Sequence, residues 1–291
     1  MNELKQIRNK ENKLFLYREW ISEEQTDRPL LLFLGGNGFP VMSYAVLLNN
    51  LSKSFNIIAF ENRAIHQAFK LGQVLTWHDY AGDLLDFIDS KGLEFDYAMG
   101  HSMGASTILL AASKRKNLFS QLILMEPIFV PVFFARLLRL LPNTLKNRLK
   151  PVKASLQKTN DWSDYGKVKD DFSKNPQYKR IKGAAREVFI QGMIKKRAKG
   201  RYERAFSLSW EIHNYKFVIS IWAVLKKVNL PCLGIYGKDH FFFTGETADR
   251  WKDKMPQLEL MQFPENGHLL PFEAGDLVAE TIIQKFSIKK S

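Results

Sequence analysis

Phe95-Asp96-Tyr97-Ala98-Met99-Gly100-His101-Ser102-Met103-Gly104 decides the fold. Its first half is a mostly apolar run bounded by turn residues, which predicts a buried strand over Phe95–Gly100. Its second half opens a helix pattern that continues through Thr107–Ala112. Ser102 therefore sits on a sharp strand-to-helix turn, flanked two residues away on each side by Gly100 and Gly104. A serine hydroxyl is a poor nucleophile until a base takes its proton, so it must be held where a base can reach it. Such a turn does this, and glycines on both sides let strand and helix approach closely. The helix N-terminus adds a field that favours a developing oxyanion. A helix N-cap serine in a glycine-rich turn is the plainer alternative, and the strand before the turn and the helix after it weigh against it.

Outward from this turn, further apolar runs predict strands at Leu30–Leu34, Asn56–Phe60, Gln121–Met125, Cys232–Tyr236 and Leu258–Phe263, with Lys13–Trp20 as an edge hairpin. Near-continuous apolar runs suit strands covered on both faces. Helix patterns lie between them. Thr76–Asp89 puts Trp77, Tyr80, Ala81, Leu84, Leu85 and Ile88 on one side and Asp79, Asp83 and Asp86 outward, and Ala274–Phe286 predicts a closing helix. Regular strand–helix alternation means a mainly parallel central sheet flanked by helices, an α/β fold.

The alternation breaks between Glu126 and Asn229. That stretch is aromatic, basic and helical in pattern, with Phe133–Leu141 and Ala184–Lys196 as predicted helices, and it reads as an insertion over the C-terminal strand edges, where open parallel sheets bind ligands. The expected division is a core of residues 1–127 and 230–291 and a basic helical lid of 128–229.

The chain carries 43 Lys+Arg against 30 Asp+Glu, a net charge of +13. Residues Ile128 to Asn229 hold 23 Lys+Arg and 7 Asp+Glu, so the rest is left with 20 against 23. All of the excess positive charge lies in the insertion. No nucleic-acid motif accompanies it, so no nucleic-acid partner is expected. Apolar residues interleaved with Arg136 and Arg139 at helical spacing suit a lid helix whose apolar stripe lines the pocket, or one that contacts an anionic membrane peripherally. There is no run of eighteen apolar residues, and Met1–Glu11 does not read as a secretory signal. The single cysteine, Cys232, in a strand pattern, fits a small buried hydrophobe and a reducing, cytoplasmic setting.

Leu34-Gly35-Gly36-Asn37-Gly38-Phe39-Pro40, Trp77-His78-Asp79-Tyr80-Ala81-Gly82-Asp83-Leu84-Leu85 and Gly100–Gly104 together resemble the bacterial α/β-hydrolase family, over nearly the whole chain outside the insertion. The resemblance implies an α/β-hydrolase fold with a lid between the sixth and seventh main strands, and no metal or organic cofactor. It also implies an oxyanion hole made by the backbone N–H groups of Met103, the residue after the nucleophile, and Asn37, which matches the X of the family's His-Gly-X loop. The chain departs from that loop at Gly35, where the family carries a histidine that braces it.

Six histidines are candidates for the base. His101 neighbours Ser102 in the chain, so its ring should point away from the hydroxyl. His78 starts a helix, His213 lies in the insertion, His66 follows Glu61-Asn62-Arg63, and His240 directly follows a carboxylate. His268, after a strand and Glu265-Asn266-Gly267, lies on a loop at the same sheet edge as Ser102 and is the expected base; the family's Gly-His after the last strand agrees. The acid is expected at Asp239, since Gly237-Lys238-Asp239 resembles the family's acid loop and Ser102, Asp239, His268 is its chain order. Glu126, at the end of the preceding strand, is the rival. The expected activity is serine hydrolysis of an acyl ester or thioester, a small-molecule substrate. A C–C bond hydrolase or perhydrolase with the same triad, and a catalytically silent binding protein of this fold, are the alternatives.

Overall fold

A computed structural model describes residues 3–22, 24, 27–239 and 243–286. The apolar runs form one eight-stranded sheet. Its members in chain order are β1 (Lys5–Arg8), β2 (Leu14–Trp20), β3 (Leu30–Leu34), β4 (Asn56–Phe60), β5 (Phe95–His101) and β6 (Phe119–Met125). The chain then leaves the sheet for three short strands, β7 (Asp161–Trp162), β8 (Ile194–Lys196) and β9 (Tyr202–Arg204), and returns with β10 (Cys232–Gly237) and β11 (Leu258–Phe263). The spatial order is β1-β2-β4-β3-β5-β6-β10-β11. Strands β3 to β6, β10 and β11 run parallel, and β1 and β2 form the antiparallel edge hairpin.

The continuous apolar runs have a simple cause. Successive strand side chains point to opposite faces, and both faces here are covered. Leu32, Leu34, Ile58 and Leu122 pack beneath the helices Trp77–Lys91 and Met103–Lys114. Leu31, Phe33, Ile57 and Ile123 pack against Ala45–Leu51 and Gly275–Lys285 on the other face. The helix Trp77–Lys91 begins with a capping box between Thr76 and Asp79 and ends at Gly92 in the left-handed region, which fixes both ends.

Three expectations need correction. Asp83 is buried rather than outward, paired with Arg63 and Lys13, because the turn after β4 brings a guanidinium under that helix. The helix expected over Ala184–Lys196 stops at Met193, and Ile194–Lys196 pairs antiparallel with Tyr202–Arg204. The helix Val132–Leu140 does not turn its whole apolar stripe inward. Ala135 and Leu138 are buried, while Phe133 and Leu140 are 78% and 84% exposed.

The insertion between β6 and β10 is joined to the core next to the Ser102 turn. Its helix Gly183–Met193 packs on Val41–Tyr44 so closely that a Cβ at Gly192 would lie 2.3 Å from the Ser43 nitrogen. Its helix Leu208–Lys216 reaches the loop after β3 through Asn37. No helix among the described residues is long and apolar enough to cross a membrane.

Candidate active site

Ser102 occupies the turn between β5 and the helix Met103–Lys114 with φ +54° and ψ −119°. A non-glycine residue rarely adopts this conformation, and it is the kind of strained backbone that surrounding structure must impose. Two glycines make it attainable. A Cβ at Gly100 would lie 2.6 Å from the Ala105 nitrogen, and one at Gly104 would lie 2.4 Å from the Leu34 carbonyl oxygen. Any side chain at either position would push strand and helix apart.

The structure brings His268 to this turn. Its loop follows β11 and is tied down on both sides: Lys238 N–H donates to the Asn266 carbonyl at 2.8 Å, and Gly267 N–H donates to a Glu273 carboxylate oxygen at 2.9 Å. The Ser102 Oγ–H donates to His268 Nε2 at 3.1 Å. On the other side of the ring, Nδ1–H donates to Glu126 Oε2 at 2.6 Å. The carboxylate requires a donor at Nδ1, so Nε2 is the acceptor that faces the serine. A hydroxyl, an imidazole in this tautomer and a buried carboxylate in sequence can remove the serine proton and stabilise the imidazolium that results.

The carboxylate is the point at which the structure departs from the expectation. Asp239 lies on the exposed side of the turn after β10, with Oδ1 accepting from Gly245 N–H at 2.9 Å at the start of the helix Gly245–Lys254. Glu126 takes the place beside His268. Strands β6 and β10 are neighbours, so the two candidate acids leave the same edge side by side. Glu126 is 1% exposed and has φ +45°; its N–H donates to the Ile235 carbonyl and its Oε1 accepts from Gly237 N–H at 2.7 Å. The end of β10 thus holds Glu126 against the ring, and the chain turns away two residues before Asp239 could do the same.

Met103 directly follows Ser102, and Asn37 lies on the loop after β3. Met103 is the first residue of its helix, where N–H groups have no intrahelical acceptor. The loop after β3 runs across Ser102, since a Cβ at Gly36 would be 3.2 Å from the Ser102 Cβ. The next residue, Asn37, is buried, and its side chain is gripped by the insertion: Nδ2 donates to the Glu211 carbonyl at 3.0 Å, and Oδ1 accepts from Asn214 Nδ2 at 2.8 Å. Tyr80 donates in turn to Asn214 Oδ1 at 2.6 Å. Beneath Glu211 lies Lys158. Burial works against its ammonium, and the facing phenols and the Glu211 carboxylate outweigh that, so its pKa stands above the ordinary lysine value.

Sequence reading missed Tyr44. Its ring occupies the space beside Gly35, where an added Cβ would lie 2.9 Å from Tyr44 Cε2. Its hydroxyl accepts from Gly36 N–H at 2.8 Å and lies 2.8 Å from His101 Nδ1. The His101 ring lies against the His268 ring, with centroids 5.0 Å apart, and its Nε2–H donates to the His268 carbonyl at 2.9 Å. That carbonyl can only accept, which leaves Nδ1 to accept from the Tyr44 hydroxyl. Burial holds the phenol far above its ordinary range, so it stays a donor. The missing histidine at Gly35 was the one sequence signal that something else must brace the loop. Of the remaining histidines, His78 is exposed, His213 is buried against the Leu75 backbone, His66 lies near the Leu14 carbonyl, and His240 lies outside the described residues. No cluster of three or more His, Cys, Asp or Glu side chains among the described residues is placed to hold a metal ion.

Comparison with known proteins bears on the fold and the family. A search of curated proteins finds no match. Among solved structures, E-2-(acetamidomethylene)succinate hydrolase superposes with a TM-score of 0.77 at 19% identity, covering 99% of this chain and 100% of that one. The peroxisomal alpha-beta-hydrolase Lpx1 from Saccharomyces cerevisiae gives 0.76 at 17% identity, over 99% and 88%. The thioesterase domain from the curacin biosynthetic pathway gives 0.72 at 19% identity, over 97% and 99%. At these identities the likeness speaks for the fold. The family model for the alpha/beta hydrolase fold matches residues 28–275, and the chain belongs to that family.

Proposed function

We propose that the chain is a serine hydrolase of acyl esters or thioesters, with Ser102 as nucleophile, His268 as general base and Glu126 as the acid that orients it. The observation that carries this reading is the unbroken path from Ser102 Oγ through both nitrogens of His268 to Glu126. Ser102 attacks the substrate carbonyl while His268 takes its proton. The Met103 and Asn37 N–H groups receive the oxyanion, and His268 then protonates the leaving group. A water activated by the same imidazole releases the acyl group and restores the serine. The insertion from 128 to 229 acts as the lid, and the small-molecule acyl substrate enters beneath it.

A fluorophosphonate probe tests the nucleophile. It should label the wild type and not Ser102→Ala, and the mutant should lose several orders of magnitude in kcat on p-nitrophenyl esters while keeping some turnover. Labelling at full strength in Ser102→Ala would remove the assignment. An ester series from acetate to palmitate tests the substrate class. Labelling of Ser102 without turnover of any ester would shift the reading to C–C bond hydrolysis.

A further inference from the structure

We infer that the outward face of the helix Val132–Leu140, with the loop that follows it, is a docking surface for an anionic lipid bilayer. This rests on the acyl-ester reading for its purpose, since a bilayer holds such substrates, but not for its physics. A helix in a soluble protein ordinarily has one apolar stripe turned to the core. This one has two. Ala135 and Leu138 face inward, and Phe133, Leu137 and Leu140, spaced at i, i+4 and i+7, stand on the outside with Phe134. Phe133 and Leu140 are among the most exposed large apolar side chains described, and nothing among the described residues covers them.

The charge around this ridge selects the partner. From Pro127 to Asn160 there are seven Lys+Arg and no Asp or Glu. Arg136 and Arg139 rise from the ridge helix itself, and Arg148, Lys150 and Lys153 are exposed just beyond it. Lys158 is paired with Glu211 and Lys146 is buried, which leaves five exposed basic residues beside the ridge. An apolar ridge in that setting is complementary to a surface that offers hydrocarbon beneath anionic headgroups. It is poorly suited to a second copy of this chain. A two-fold contact would place the same arginines against each other, in a chain already at +13.

The ridge is also joined to the site. Its helix starts six residues after Glu126, and Ile128 N–H donates to Ser106 Oγ at 3.0 Å, one turn along the helix that Ser102 opens. A bilayer on the ridge therefore lies against the segment that leaves the triad.

Co-sedimentation with phosphatidylserine-containing and pure phosphatidylcholine vesicles, at low and high salt, tests the inference with the full chain. Binding should favour the anionic vesicles and fall with salt. Phe133→Ser with Leu140→Ser should weaken it by about tenfold or more, and Arg136→Gln with Arg139→Gln should weaken it on anionic vesicles by about tenfold. Both variants should hydrolyse a soluble short-chain ester like the wild type. Ser102→Ala should still bind vesicles, so docking and hydrolysis can fail separately. Equal partitioning to both vesicle types, or unchanged binding by both double variants, would overturn the inference. So would a dimer in sedimentation velocity that Phe133→Ser with Leu140→Ser converts to monomer, which would assign the ridge to a second copy.

Discussion

The Tyr44 hydroxyl donates to His101 Nδ1 across 2.8 Å, and through that one contact the loop after β3 is tied to the backbone of His268. The chain of donors has a single direction on each side of the ring: Gly36 N–H to Tyr44, Tyr44 O–H to Nδ1, and His101 Nε2–H to the His268 carbonyl. Ser102 lies between the two loops that this path connects. Gly35 makes it possible, because a side chain there would occupy the space of the tyrosine ring.

Tyr44→Phe keeps the ring and removes only the hydroxyl. Leaving buried polar groups without that partner should cost about 1–3 kcal/mol of stability, read as a lower Tm. If the path also positions the site, kcat should fall by about ten- to a hundredfold with KM little changed, since small misplacements of reacting groups are expensive. A lower Tm with kcat untouched would make Tyr44 a packing residue and nothing more.

The acid makes a sharper test. Glu126→Gln keeps an oxygen for Gly237 N–H but can present a donor to His268 Nδ1, which favours the wrong imidazole tautomer. It should lower kcat by about 10³–10⁴. Asp239→Asn, whose partner is Gly245 N–H, should cost less than about tenfold. The reverse order in steady-state kinetics would return the acid to the loop after β10.

These two cases show what could be read from the chain and what could not. The strands were legible because both sheet faces are covered, so Leu31 and Phe33 are as apolar as Leu32 and Leu34. The turn at Ser102 was legible because close approach admits only glycine at 100 and 104. Asp239 and Glu126 were not separable in the same way. They follow adjacent parallel strands, and only the pairing of β6 with β10 decides which carboxylate meets the ring. Tyr44 left no motif because its partner, His101, is 57 residues away and meets it only in the folded chain. Ile194–Lys196 continued a helical pattern and became a strand because Tyr202–Arg204 was there to pair with it, a tertiary partner overriding local preference.

The grip of the insertion on Asn37 gives the last prediction. Asn214 Nδ2 donates to Asn37 Oδ1, and Asn214 Oδ1 accepts from Tyr80. Asn214→Ala removes both contacts and leaves Asn37 held through the Glu211 carbonyl. Tyr80→Phe removes only the outer contact and leaves the one to Asn37 in place. If the insertion holds the oxyanion loop in its working geometry, Asn214→Ala should lower kcat by about tenfold or more, because preorganised donors act only when fixed in place. Hydrogen exchange at the amides from Gly35 to Gly38 should speed up in the same variant. Tyr80→Phe should give a smaller loss in kcat and little change in exchange at that loop. An equal loss from both variants with unchanged exchange would mean that they alter the shape of the pocket, and the loop would then owe its geometry to Tyr44 and the glycines alone.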